Sequence, residues 1–260
     1  MTSPVVRVEL RGPVQWVIID RPERRNALNE QVVAGIAAGF TAAVAEPACR
    51  AIVLTGAGDA AFCAGADLKT GAGGAFDIDY SDPRHYIVDL FKQMDDCRLP
   101  IIARVNGHVM AGGMGLLCAC DLAVAADHAR FGTPESRLGL YPMMILGPML
   151  RVMPRRKLVE MCITGEAIDA TEALALGLLN YVVPGDQLDT RLDWLLARIV
   201  DKSPAGIRLG KQGMNAMSDL TLREALDYAQ VMISVMASTQ DAREGRAAFV
   251  EKRAPRWTGR

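Results

Sequence analysis

Two stretches of very small residues are the first places in this chain where chemistry could occur. One is Ala61-Phe62-Cys63-Ala64-Gly65-Ala66-Asp67-Leu68; the other is Val105-Asn106-Gly107-His108-Val109-Met110-Ala111-Gly112-Gly113-Met114-Gly115-Leu116. Both follow apolar runs of strand type, and small residues there let a ligand approach the main chain closely. In open α/β sheets, ligands bind at the carboxyl ends of strands. The second stretch also starts a helix at about Gly112. The first N–H groups of a helix have no partner within it and carry partial positive charge, which suits a developing oxyanion. One N–H from each stretch, converging on a single carbonyl oxygen, would form an oxyanion hole, worth about 3–4 kcal/mol per donor in enzymes where it has been measured. The same glycines would equally serve close packing of a helix on a strand. Neither stretch is a G-x-G-x-x-G or a P-loop.

The elements that must position these stretches are legible from periodicity. Val5 to Leu10 alternates apolar and polar residues, Gly12-Pro13 turns, and Val14 to Ile19 returns, which predicts a hairpin. A helix is expected from about Asn29 to Ala45, ended by Pro47. Ala51 to Thr55, Ile101 to Val105 and Leu122 to Ala126 are short apolar runs of the kind buried on both faces. With a small-residue helix from about Gly112 to Cys120, they predict βαβ units and a mostly parallel sheet. Thr70 to Arg84 is a Gly-rich acidic loop; a lid and a mobile surface loop both fit it, and Asp77 and Asp79 lack the further ligands a calcium loop needs. Beyond Pro154, helices are expected over Arg156–Thr164, Ala170–Leu176, Leu188–Asp201, Ser203–Met217, Thr221–Ser238 and Thr239–Phe249, with Asp169 or Ala170 opening the second and Gly177 closing it. The last ones carry Met214, Met217, Met232 and Met236 on apolar faces that must pack on their own core or on a neighbouring subunit.

Composition narrows the function classes. The 260 residues carry a net charge of −1, and the one basic cluster, Arg151 to Lys157, is broken by Pro154, so no nucleic-acid partner is expected. Six Cys show no C-x-x-C pair, and with three His they offer no zinc spacing; they read as buried small hydrophobes. No apolar stretch is long enough to span a membrane, and Met1 to Glu9 lacks the apolar core of a secretory signal. A cytoplasmic protein is expected.

The joint pattern is more specific than any piece of it. A-F-C-A-G-A-D-L from Ala61, V-N-G-x-x-x-A-G-G from Val105, F-G-T-P-E-S-R-L-G-L-Y-P from Phe131, A-L-G-L-L-N-Y-V-V-P from Ala175 and E-G-R-A-A-F-V-E-K-R from Glu244, preceded by R-P-E-R-R-N-A-L-N from Arg21, together resemble the enoyl-CoA hydratase/isomerase (crotonase) family, in family order over nearly the whole chain. The resemblance implies an α/β fold, a crotonase-like spiral of β-β-α units over residues 1–200, with a helical C-terminal trimerisation region over 201–260. It implies an acyl-CoA thioester as substrate, no cofactor beyond the coenzyme A of that substrate, and a homotrimer or dimer of trimers.

Residue by residue, it implies that Ala66 and Gly112 supply the oxyanion N–H groups and that Glu135 transfers protons at the acyl α and β carbons. Arg25, Ala27, Ala64 and Leu68 fall where family members contact coenzyme A. Asp67, Gly113, Gly115 and Tyr141 complete the expected substrate site, Tyr141 as a candidate wall of the acyl pocket and equally a core aromatic. Phe249 and Lys252 fall where a neighbouring subunit often closes the nucleotide end.

One departure bears on the reaction. Typical hydratases carry a second Glu three residues after the oxyanion Gly; here that position is Gly115. Met143-Met144-Ile145 also replaces a Gly-rich turn, so the acyl pocket is expected to be reshaped by bulky, adaptable side chains. Hydration of a 2-enoyl-CoA is the leading expectation. Migration of the double bond from a 3-enoyl-CoA needs only one proton carrier, and a binder that has lost the chemistry is the third reading. His85 and Tyr86 are secondary candidates for reaching the site; Asp59, His108 and Asp121 read as structural or solvent-facing.

Overall fold

The computed structural model describes residues 4–67, 81 and 84–260. Leu68 and most of the acidic loop lie outside the described residues. The chain opens with the expected hairpin, β1 (Val6–Arg11) and β2 (Val14–Ile19), then α1 (Glu30–Ala45), capped by the Asn29 side chain accepting from Val32 N–H. β3 (Ala51–Gly56) and β4 (Ala61–Cys63) follow, then α2 (Tyr86–Asp96), β5 (Ile101–Val105), β6 (His108–Met110) and α3 (Gly112–Cys118). Next come β7 (Leu122–Ala126), β8 (Arg130–Gly132), α4 (Leu146–Val152), α5 (Arg155–Thr164), β9 (Ile168–Asp169), α6 (Ala170–Ala175) and β10 (Tyr181–Val183). The chain ends in α7 (Leu188–Val200), α8 (Pro204–Met217), α9 (Leu222–Ala237) and α10 (Gln240–Glu251).

The strands form two sheets, where the sequence pattern predicts one. The larger has the order β1-β2-β3-β5-β7-β10, parallel from β2 onward, with β1 antiparallel at its edge. The smaller, β4-β6-β8-β9, is built of very short strands. Three strands of the larger sheet are followed at once by a strand of the smaller one, as β3–β4, β5–β6 and β7–β8 show. The turn after β5 is held by the buried Asn106, whose side chain accepts from Gly56 N–H (3.2 Å) and donates to the carbonyls of Gly58 (2.8 Å) and Ala61 (3.1 Å).

Helices cover both faces of the larger sheet. Val32, Ile36 and Phe40 of α1 pack with Val17 and Ile19, while Leu188, Leu192 and Leu196 of α7 pack with Trp16, Ile18, Val53 and Val124. That double cover explains why β2 and β3 are buried at every position. α8 is tied to the core by Lys211, whose ammonium meets Asp121 at 2.7 Å. Asp241 of α10 accepts from Ser203 and from the main chain at Ala205, Thr258 and Gly259. α9 has no buried residue within the single chain. Among the described residues, no helix is long and apolar enough to cross a membrane, no cluster has metal-ligand character, and all six Cys are free, five of them buried.

Candidate active site

The site forms where β4 ends, where β6 passes into α3, and where the chain leaves β8. After β4, the segment carrying Ala66 lies beside Leu28. Leu28 N–H donates to Gly65 O (2.7 Å), and Asp67 N–H donates to Leu28 O (2.8 Å). In extended chain, successive amides point to opposite sides, so Ala66 N–H faces away from Leu28. Two side chains, the half-buried Arg21 and the buried Asn26, fix this loop. Arg21 meets Asp67 at 2.8 Å and donates to Ala27 O at 2.7 Å. Asn26, fully buried with φ 56°, donates to the carbonyls of Ala57 (3.0 Å) and Ala61 (2.7 Å).

Opposite Ala66 stands the start of α3. Gly112 is its first residue, so its N–H has no partner in the helix. Ala111 before it adopts φ 51° and ψ −122°, a region strained for a residue with a Cβ, and is held there by its N–H donating to Gly132 O at 2.9 Å. Gly65 is the spacer between the two amides. A Cβ on Gly65, itself at φ 91°, would stand 2.5 Å from Ala111 Cβ and 3.2 Å from Gly112 N, and one on Gly112 would stand 3.9 Å from Ala66 N. Gly65 thus brings the main-chain nitrogens of Ala66 and Gly112 close to each other, with no side chain between them.

Glu135 completes the arrangement. It sits in a 3₁₀ turn, Pro134–Leu138, that follows β8. Its Oε2 is buried and has no hydrogen-bond partner among the described residues. Burial pushes its carboxyl above the ordinary carboxylate range, opposed only by a hydrogen bond from its own main chain. A buried carboxylate oxygen without a donor is costly to fold, and such groups mark functional sites.

Ala66, Gly112 and Glu135 line one cavity of about 260 Å³, walled otherwise by Leu28, Ile87, Leu138, Leu140 and Met143 to Ile145, with the rings of His85, Tyr86 and Tyr141. Ala64 lines it too. A wider depression of about 630 Å³, between the outer sheet face and α7, is lined by Arg7, Arg11, Arg104, Asp189 and Asp193, of which Arg104 and Asp189 meet at 2.6 Å.

The other expected site residues fall elsewhere. Arg25 is exposed and does not line the cavity, though its carbonyl accepts from Ala64 N–H (3.0 Å), and Ala27 is buried. Asp67 faces Arg21 rather than the cavity. Gly113 packs against the Cys63 carbonyl, and a Cβ on Gly115 would stand 2.5 Å from Ile145 Cγ2 and 2.6 Å from Phe91 Cζ; neither glycine lines the cavity. Phe249, 86% exposed, and Lys252, the left-handed cap of α10, sit on the C-terminal helix and contribute nothing to the cavity of their own chain. Residue patterns did not single out Arg21, Asn26 or Leu28, whose roles depend on partners tens of positions away; the R-P-E-R-R-N-A-L-N run was the only available signal.

The family model for enoyl-CoA hydratase/isomerase matches residues 9–260. A probable enoyl-CoA hydratase of Mycobacterium tuberculosis is 36% identical, with all of both chains covered. The carnitinyl-CoA dehydratase of Proteus mirabilis is 34% identical over 99% of this chain and 100% of its own. The crystal structure of enoyl-CoA hydratase from Bacillus anthracis superposes with a TM-score of 0.90 at 30% identity, covering 98% of this chain and 100% of that one. Two mixed sheets, the spiral between them and a match that runs from the first strand to the last residue place the chain in the enoyl-CoA hydratase/isomerase family of enzymes.

Proposed function

We propose that the chain adds water to a 2-enoyl-CoA thioester, with the Ala66 and Gly112 amides holding the thioester oxygen and Glu135 as the single acid/base. The observation that carries this reading is the buried, unpartnered Oε2 of Glu135 in the cavity those two amides also line. Glu135 takes a proton from water as the water oxygen bonds to the β-carbon. The π electrons move toward the thioester oxygen, where each N–H donor is worth about 3 kcal/mol by analogy with other oxyanion holes. As the enolate collapses, Glu135 returns the proton to the α-carbon, so water has added across the double bond and the carboxylate is restored. A carboxyl displaced upward by burial suits both halves of this cycle, and such transfer contributes about 10²–10⁴-fold.

A second reading has its own support. The place of a second carboxylate, Gly115, is sealed by Ile145 and Phe91, which leaves Glu135 as the carboxylate of this cavity among the described residues. Isomerisation of a 3-enoyl-CoA to a 2-enoyl-CoA needs only one: Glu135 would remove the α-proton, and the same proton would return to the γ-carbon.

For the coenzyme A portion, the proposal retains Arg25, Ala27, Ala64 and Leu68 as contacts, and Phe249 and Lys252 as residues given by a neighbouring subunit of a homotrimer or dimer of trimers. The bare α9 and the exposed Phe249 and Val250 support that assembly. Incubation with 2-enoyl-CoA and 3-enoyl-CoA esters of both short and dodecenoyl length, followed by absorbance of the conjugated thioester, tests the function. Loss of conjugation from the first supports hydration; gain of conjugation from the second supports isomerisation. Turnover of neither ends both readings.

A further inference from the structure

The acyl end of the cavity is closed on one side and open on the other. Ile145, 3% exposed, and Phe91 cover Gly115, so nothing can run inward past α3. On the outward side, Leu138, Leu140, Tyr141 and Met143 line the cavity and are nevertheless 59%, 41%, 43% and 69% exposed. Four large apolar side chains within six positions, continuous with a cavity, form the kind of exposed patch that marks a binding surface. That run holds no charged residue, and Arg137 just before it is held at 2.8 Å by Glu166. This rim offers a polar acyl group little: of its four side chains only Tyr141 has a polar atom, a hydroxyl engaged with the Cys162 thiol. An apolar tail would cover it, and the flexible Met143 and Met144 side chains suit a tail without fixed shape.

We propose that Leu138, Leu140, Tyr141 and Met143 carry the distal part of the acyl chain, so that the preferred thioester has a long apolar acyl group whose tail leaves the cavity over Met143. This rests on the thioester reading of the site and names the substrate class within it.

The test is a calorimetric titration of the whole protein with coenzyme A and with butanoyl-, octanoyl- and dodecanoyl-CoA, which bind without reacting. Affinity should rise about two- to fourfold per added methylene, still rising between octanoyl and dodecanoyl. In Leu138→Ser and Met143→Ser, both at exposed positions, the octanoyl-to-dodecanoyl gain should shrink toward onefold. Equal affinity for the three esters overturns the inference while leaving the thioester reading intact. A chain-length gain untouched by both variants also overturns it, because the tail then leaves elsewhere. Sedimentation velocity on the same variants reads the remaining alternative: a lost oligomer with an unchanged chain-length gain makes the rim a contact between copies of this chain. If no coenzyme A ester binds, the thioester reading itself fails and takes the inference with it.

Discussion

Ile145 stands over Gly115: a Cβ at position 115 would lie 2.5 Å from Ile145 Cγ2 and 3.0 Å from Ile145 Cβ. The space that a second carboxylate would need is therefore filled with hydrocarbon, and restoring the residue alone cannot restore its function. Gly115→Glu is expected to lose at least about 2 kcal/mol from overpacking and from burying a charge without a partner, lowering Tm by several degrees. It should not raise hydration activity. Gly115→Glu with Ile145→Ala should recover part of the lost Tm, because the second change opens the space. Thermal unfolding of the three variants checks this; a Gly115→Glu protein as stable as the parent would show that the floor yields.

Glu135 is expected to separate chemistry from binding. Glu135→Gln keeps the shape and removes the proton carrier, so turnover should fall by at least about 10²-fold while coenzyme A ester affinity changes little. The same variant should show a pH-dependent gain in stability. Burial raises the folded-state value of Glu135 above its ordinary 4.5, so the folded chain holds that proton more tightly than the unfolded one. Below the ordinary value both states are protonated and nothing is lost; as pH rises from there through the folded-state value, the native protein loses stability that the Gln variant keeps. The Tm difference should be near zero at about pH 4 and favour the variant at about pH 7. A difference that ran the other way would mean that the carboxylate is stabilised where it sits.

These residues also show how far the sequence could be read. The caps at Asn29 and Asp169 and the left-handed Gly177 were legible because each acts on atoms a few positions away. The strand at Ala51 to Thr55, which extends to Gly56, was legible because burial on both faces leaves a nearly unbroken apolar run. The second sheet was not: β4, β6 and β8 have three residues each, too few to display an alternation. α2 was not expected either, and its cap is His85, whose Nδ1 accepts from Ile87 N–H at 3.2 Å, an unusual residue for that position. At the site, Ala66, Gly112 and Glu135 were visible through the family resemblance, and they share a cavity. Gly113 and Gly115 look alike in sequence to Gly112, but only the folded chain reveals that Cys63 lies against the first and that Ile145 and Phe91 lie against the second.

Gly65 sets the spacing of the two amides. It adopts φ 91°, and a Cβ there would collide with Ala111 Cβ at 2.5 Å. Gly65→Ala should therefore cost about 2–4 kcal/mol, combining left-handed strain with overpacking. Survivors of that cost should be slow: a displacement of Ala66 relative to Gly112 by about 1 Å is enough to lose about 10²-fold in rate. Measuring kcat alongside Tm distinguishes the two effects. A variant with unaltered kcat would mean that the gap between the amides does not need its present width.

Arg21 and Asp67 form the ion pair that holds the Ala66 loop, with side chains 12% and 9% exposed. Removing one partner should do more harm than removing both. Arg21→Met leaves the Asp67 carboxylate buried without its cation and frees Ala27 O from its 2.7 Å donor, so a loss of about 3–5 kcal/mol is expected. Arg21→Met with Asp67→Leu removes both charges and should regain much of that loss, since buried ion pairs replaced by apolar groups are often near neutral. Neither side chain of the pair lines the cavity, so its effect on turnover acts through the position of the Ala66 amide. kcat should therefore stay depressed in the double variant even where Tm has returned, because nothing then ties residue 67 to residue 21. Recovery of both quantities together would reduce the pair to a stabilising contact with no part in positioning the amide.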